Sequence, residues 1–175
     1  MNAFVKFALS ALVLAAIVYT AALYALPNAI MARVISKIGQ GGAENVFVHQ
    51  PLPTAEARGV VRPSPDLAYS ICLIDLSKGP MHITVPLTEP YTSVALYAAN
   101  TDNYFVRNDR DSGGKSLDVI VIAPGADKPA ALPEGAELVD APTAKGLVLV
   151  RRVVESAEAF AAIDETRKSS VCAPL

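Results

Sequence analysis

The chain has 175 residues, a formal net charge of −2, 52% hydrophobic residues and no tryptophan. A charge so near balance provides no basic field for nucleic acid, so none is expected as a partner, and the length suits one domain with an appendage. The apolar excess sits mainly in residues 1–38, and the 13 prolines are spread over 27–174, which suits a loop-rich β fold better than a helical bundle.

Residues 7–26 are twenty consecutive residues without a charge. As a helix they span about 30 Å, the thickness of a bilayer hydrocarbon core. Ser10 and Thr20 are the only small hydroxyls in the run and can bond back to their own helix. Tyr19 and Tyr24 lie towards its far end, where amphipathic rings favour the headgroup region. A cleaved signal peptide has an apolar core of only about 7–15 residues and a small-x-small cleavage site. The present run is longer, and Leu23, Tyr24, Ala25 and Leu26 make a poor site. The reading is therefore a retained single-pass anchor in the lipid bilayer.

Pro27 is expected to interrupt that helix and kink it at the membrane surface. Ile30, Met31, Val34, Ile35 and Ile38 then recur at helical spacing until Gly39, Gly41 and Gly42. This stripe either lies in the membrane interface or packs on the rest of the chain, and amphipathicity alone does not choose. The division expected is an anchor and juxtamembrane helix over 1–42 and a β-rich globular domain over 43–175.

Charged flanks say little about orientation: Lys6 precedes the span and Arg33 and Lys37 follow it. The cysteines, Cys72 and Cys172, are a candidate disulfide that would tie the C-terminal tail to a strand and require an oxidising compartment. The alternative is two reduced thiols, one buried and one on a frayed tail. The ending Cys172-Ala173-Pro174-Leu175 superficially matches a prenylation box, but Pro174 fits its second aliphatic position poorly.

The remaining elements alternate strands with turn signals. A brief strand over 45–49 ends at Pro51-Leu52-Pro53, and residues 68–76, apolar on both faces, read as a central strand. Residues 77–80 make a turn. Met81, Ile83, Val85 and Leu87 then alternate with His82, Thr84 and Pro86, the clearest half-buried strand in the chain, with His82 expected to face solvent. Strands follow over 91–99 and 104–106, a polar glycine turn over 109–115, a strand over 117–123, a loop over 124–135 and a long strand over 145–154. Residues 156–168 read as a helix with Glu158 in its first turn and Arg167 and Lys168 at its end, matching the helix dipole. The fold class is mainly β, a sandwich or partly open barrel, with an N-terminal transmembrane helix and one C-terminal helix.

Over residues 61–106 several short motifs coincide. Arg62-Pro63-Ser64-Pro65-Asp66-Leu67-Ala68-Tyr69-Ser70 is similar to an "N-x-D-T-L-Y-S" opening, and Asp75-Leu76-Ser77-Lys78-Gly79-Pro80 to a "D-L-x-x-G-P" turn. Val85-Pro86, Tyr91, Ser93, Leu96, Tyr97, Thr101 and Asn103 are similar to a "P…R-Y-W-S-L-Q-V-Y-D-A-Y-T-N-N-F" stretch. Together they resemble the bacterial domain-of-unknown-function family numbered 1254, with fainter similarity through 117–124 and the C-terminal helix. The resemblance implies a β-sandwich-like domain in a bacterial envelope protein, periplasmic in location. Longer members carry a second domain, numbered 1214, so a separately encoded 1214-type protein is an expected partner. The chain departs from the pattern at Ser64, Ala68, Ala98, Asn100 and Asp102; the last three stand where the family shows Asp, Tyr and Asn, which weakens any inherited site.

Motifs for chemistry are sparse. Gly113-Gly114-Lys115-Ser116 evokes the end of a phosphate-binding loop, but the earlier glycine that loop requires would be Asp109, and a strand follows instead of a helix. His49 and His82 lie far apart and have no His or Cys at ligand spacing, so neither a metal site nor a cofactor is expected. No G-x-S-x-G nucleophile elbow occurs. A polar group of Arg62, Asp66, Tyr69, Tyr97 and Asn103, with Asp75 nearby, is the candidate small-ligand or catalytic site, although Asp66 after Pro65 is also an ordinary turn former. Two function classes follow: a non-catalytic envelope protein acting through a partner or as a scaffold, and a ligand-binding protein or enzyme using that group.

Overall fold

A computed structural model describes residues 2–39, 44–54, 56–57, 63–114 and 116–175. Arg62 lies outside them. The first element is a 37-residue helix, α1 (Ala3–Gly39), about 55 Å long at 1.5 Å per residue. Ser10 Oγ and Thr20 Oγ1 donate to the carbonyls of Lys6 and Ala16 at 2.9 and 2.8 Å. The hydroxyls are thereby satisfied within the helix. α1 is the one helix among the described residues long and apolar enough to cross a membrane. From Phe4 to Ile30 its large apolar side chains are exposed.

Pro27 does not end this helix. α1 passes through it, and Asn28 Nδ2 donates to the Tyr24 carbonyl at 3.1 Å one turn back. Tertiary packing holds the segment beyond the proline. Met31 is buried, and Val34, Ile35 and Ile38 pack with it on Ile71, Leu73, Tyr97, Leu147 and Leu149. The stripe from Met31 to Ile38 thus docks on the rest of the chain while Ile30 stays exposed, which explains why the strand carrying Ile71 and Leu73 is apolar on both faces.

Among the described residues nine strands follow in two sheets. Sheet A has the order β1 (Phe47–His49), β2 (Leu67–Asp75), β8 (Lys145–Val153), β4 (Thr92–Ala98), β5 (Asn103–Asn108). Sheet B has the order β7 (Glu137–Asp140), β6 (Ser116–Ile122), β3 (Met81–Pro86), β9 (Val171–Pro174). All pairs are antiparallel except β6 with β7. The sheets pack face to face: Cys72, Ile74, Val94, Leu96, Val148 and Val150 of sheet A meet Met81, Ile83, Val85, Leu117, Val119 and Val121 of sheet B in one core. The chain is therefore a mainly β sandwich with an N-terminal helix that is a candidate membrane span.

Strand β3 shows the expected alternation, with Met81, Ile83 and Val85 buried and His82, Thr84 and Pro86 partly so. His82 differs from expectation in one respect. Its side chain is only 27% exposed because Asp118 and Thr84 hold it against the sheet. The turn over 109–115 contains a short helix, α2 (Asp109–Ser112), closed by a capping box of Asn108 and Asp111. Two four-residue strands had no sequence counterpart: β7 and β9 are too short to show a period, and each exists because sheet B offers an edge to pair with. The C-terminal helix α3 (Ala157–Lys168) is capped by Ser156, whose side chain accepts from Ala159 N. Its Ile163, Ala159 and Phe160 pack on Ala68, Val154 and Leu52.

Two ties join the sheets at opposite flanks. A disulfide links Cys72 of β2 to Cys172 of β9, with Cα atoms 6.6 Å apart. At the other flank Arg107 of β5 pairs with Glu137 of β7 at 2.6 Å.

Candidate functional site

The polar residues singled out from the sequence are dispersed by the fold. Asp66 is exposed in the turn before β2, where its carbonyl accepts from Val154 N at 2.8 Å. Tyr69 Oη accepts from Ser64 N at 3.0 Å. Tyr69 is opposite Arg151, whereas Tyr97 is opposite Leu147, where it packs against the end of α1. Four residues along β8 separate these positions by about 13 Å. Asn103 is exposed at the start of β5, beside Tyr97. The fold therefore gathers Asp66 with Tyr69 near one end of sheet A and Tyr97 with Asn103 near the other.

One polar group lies outside the core on sheet B. Asp118 accepts from Thr84 Oγ1 at 2.7 Å and from Ser116 Oγ, and His82 Nε2 is 3.3 Å from its Oδ1. Burial opposes ionisation of Asp118, but the bonds from Ser116, Thr84 and His82 outweigh it and hold its pKa below the usual value. Ser116 donates to the carboxylate and not to the imidazole, so these side chains do not form a Ser–His–Asp relay.

A second group is buried at the end of the sandwich beneath α3. In β8 the side chains of Val148 and Val150 enter the core; the period of two sends Arg152 the same way, and it is fully buried. Arg152 Nη2 donates to the Pro86 carbonyl and to Ser170 Oγ, both at 3.1 Å, which ties β8 to the end of β3 and to the link between α3 and β9. Burial, and then the neighbouring Arg167, lower its pKa to about 10. Arg167, 4% exposed, comes from the last turn of α3. Its Nε and Nη2 bind Asp164, its Nη1 donates to the carbonyls of Gln50 and Tyr69 at 2.8 and 3.3 Å, and its plane lies over Phe160. Half-buried His49 completes the group, its Nδ1 2.8 Å from Ser70 Oγ. Burial first, then the charges of Arg167 and Arg152, push the His49 pKa down, against a smaller opposite effect of Asp164.

Neither Arg152 nor Arg167 was a site candidate from the sequence, where Arg167 stood only as a helix-end charge. The signal available for Arg152 was parity, since an arginine two residues after Val150 in a strand shares its face. No such signal marked Arg167, because α3 covers the sandwich end only after the chain has returned there. Among the described residues no group of three or more His, Cys, Asp or Glu gathers to hold a metal ion.

A two-sheet sandwich with a long apolar N-terminal helix defines the class of protein. The chain belongs to the family described as "Protein of unknown function (DUF1254)", which matches residues 44–174. Among solved structures, the VPA0106 protein from Vibrio parahaemolyticus is similar with a TM-score of 0.67 and 14% identity, over 87% of this chain and 36% of that one. An uncharacterised protein from Burkholderia cenocepacia is similar with a TM-score of 0.43 and 19% identity, over 62% of this chain and 31% of that one. The present chain thus spans about a third of the length of these two proteins. No curated protein matches it.

Proposed function

We propose that the chain is a membrane-anchored envelope protein whose sandwich acts outside the cytoplasm as a non-catalytic partner-binding or scaffold domain. The observation that carries this is the continuity of α1. From Phe4 to Ile30 it presents an apolar surface to the outside, while Met31, Val34, Ile35 and Ile38 of the same helix dock on sheet A. A bilayer would cover the exposed part, and docking would hold the sandwich at a set position beside it. The disulfide supports an oxidising compartment. In the Ser116, Asp118 and His82 group the serine is bonded to the carboxylate and not to the imidazole, which supports a role without catalysis. The partner proposed is a 1214-type protein, the second domain that the family resemblance implies.

Protease added to intact spheroplasts tests the placement, with mass spectrometry of the membrane-bound protein. Digestion of the sandwich from outside and recovery of residues 1–26 are expected. A mature N-terminus near Pro27, or a sandwich cut only after lysis, overturns the reading. Affinity purification in mild detergent tests the partner role: recovery of a stoichiometric 1214-type protein supports it, and a sandwich recovered alone counts against it.

A further inference from the structure

Arg152 is a charge without a counter-charge. It is fully buried, and after Nη2 has bonded Pro86 and Ser170 its Nε and Nη1 have no hydrogen-bond partner among the described residues. All 17 Asp and Glu side chains lie among the described residues. None forms an ion pair with it. Asp164 is engaged by Arg167 and Lys168. Burying an unpaired guanidinium with idle donors is among the least favourable things a fold can do. A water molecule would satisfy a donor but would leave the charge. An anion does both.

The surroundings narrow its class. Arg167 is already neutralised by Asp164, so the group carries one unmatched positive charge. Ala68, Val154, Ile163, Leu52 and Phe160 supply apolar neighbours at the same end of the sandwich. We propose that the sandwich end beneath α3 binds a small aliphatic monocarboxylate, its carboxylate receiving hydrogen bonds from Arg152 and its apolar body lying among these side chains. A phosphate dianion would bring a second charge with no partner. His49, the one basic member that keeps substantial exposure, faces Arg152 on β8 and Arg167, Asp164 and Lys168 on α3. Its protonation adds a further positive charge beside the site.

The test is thermal unfolding of the full chain in detergent micelles at pH 7.5, titrated with sodium acetate, sodium butyrate, sodium phosphate or sodium chloride at matched ionic strength. Acetate and butyrate are expected to raise Tm as RT ln(1 + [L]/Kd) dictates, by about 3–6 °C at ten times Kd, with butyrate binding more tightly. Arg152→Met should fold with at least the wild-type Tm in chloride and lose the carboxylate response. If that variant does not fold, Arg152→Lys takes its place, and at least a tenfold weaker Kd is expected. The absence in the wild type of a carboxylate response beyond that to chloride overturns the proposal. So does a response that survives in Arg152→Met, an unchanged Kd in Arg152→Lys, or a stronger response to phosphate than to butyrate.

Discussion

Reducing the Cys72–Cys172 bond perturbs the fold at a place where the effect can be worked out. The cysteines stand on facing sheets, 0% and 6% exposed, and are separated by 100 residues. β9 is only four residues long and pairs with β3 alone, with Cys172 opposite Ile83. In the chain-entropy model, a cross-link closing a loop of about 100 residues removes about 16 cal/mol/K from the unfolded ensemble, or about 4.7 kcal/mol at 25 °C. For a chain of this size that corresponds to about 10–19 °C in Tm. Denaturant unfolding of the full chain in micelles, with and without a phosphine reductant and with thiol titration as the control, measures it. The expected outcome is a loss near the calculated figure, with a steeper denaturant dependence because the unfolded chain expands on release. A loss below about 1 kcal/mol with both thiols titratable would refute the reasoning: either the unfolded chain already holds its ends together, or β9 needs no tether.

Three further outcomes test the register, the packing and the buried basic group. Ile83→Ala is expected to cost about 2–5 kcal/mol in chemical unfolding, whereas His82→Ala, on the opposite face of the strand, should cost no more than about 1.5 kcal/mol; equal losses would place the strand in the wrong register. Gly146→Ala should destabilise by about 1–3 kcal/mol, because the added Cβ would clash with the backbone carbonyl oxygen of Tyr97 on the paired strand, and a neutral result would show that β4 and β8 yield there. The His49 pKa is depressed below 6.5 in the folded chain, so the unfolded chain takes up the proton first and stability should fall as the pH drops below about 6.5. Urea midpoints at pH 7.5 and 5.5 check this, and His49→Asn should show a smaller difference than the wild type.

Elements recorded by local pattern were legible from the residues alone. The charge-free run at 7–26 has the length of a bilayer whatever the rest of the chain does. The alternation of Met81, Ile83 and Val85 with His82 and Thr84 sets their faces because successive side chains in a strand point opposite ways. Ser156, Glu158, Arg167 and Lys168 mark the ends of α3 by satisfying its terminal groups and its dipole. The DUF1254 motifs were likewise readable in sequence, because turn and strand residues such as Asp75, Gly79 and Pro80 lie close together.

The features that required the tertiary structure share a physical cause, in that a local pattern says which face is apolar but not what will cover it. The 30–38 stripe was ambiguous until the outer face of sheet A received it, and that same packing carried the helix through Pro27. β7 and β9 are too short to register as strands and form only where sheet B presents open edges. The polar candidates Asp66, Tyr69, Tyr97 and Asn103 look close in sequence, but strands β2 and β4 place them at two ends of the sheet with β8 between. Arg152 sits in an apolar strand at a core-facing position, and its charge becomes a buried, unmatched one only when α3 closes over the end of the sandwich. Burial depends on elements far apart in the chain, so tertiary contact and not sequence spacing made this the candidate site.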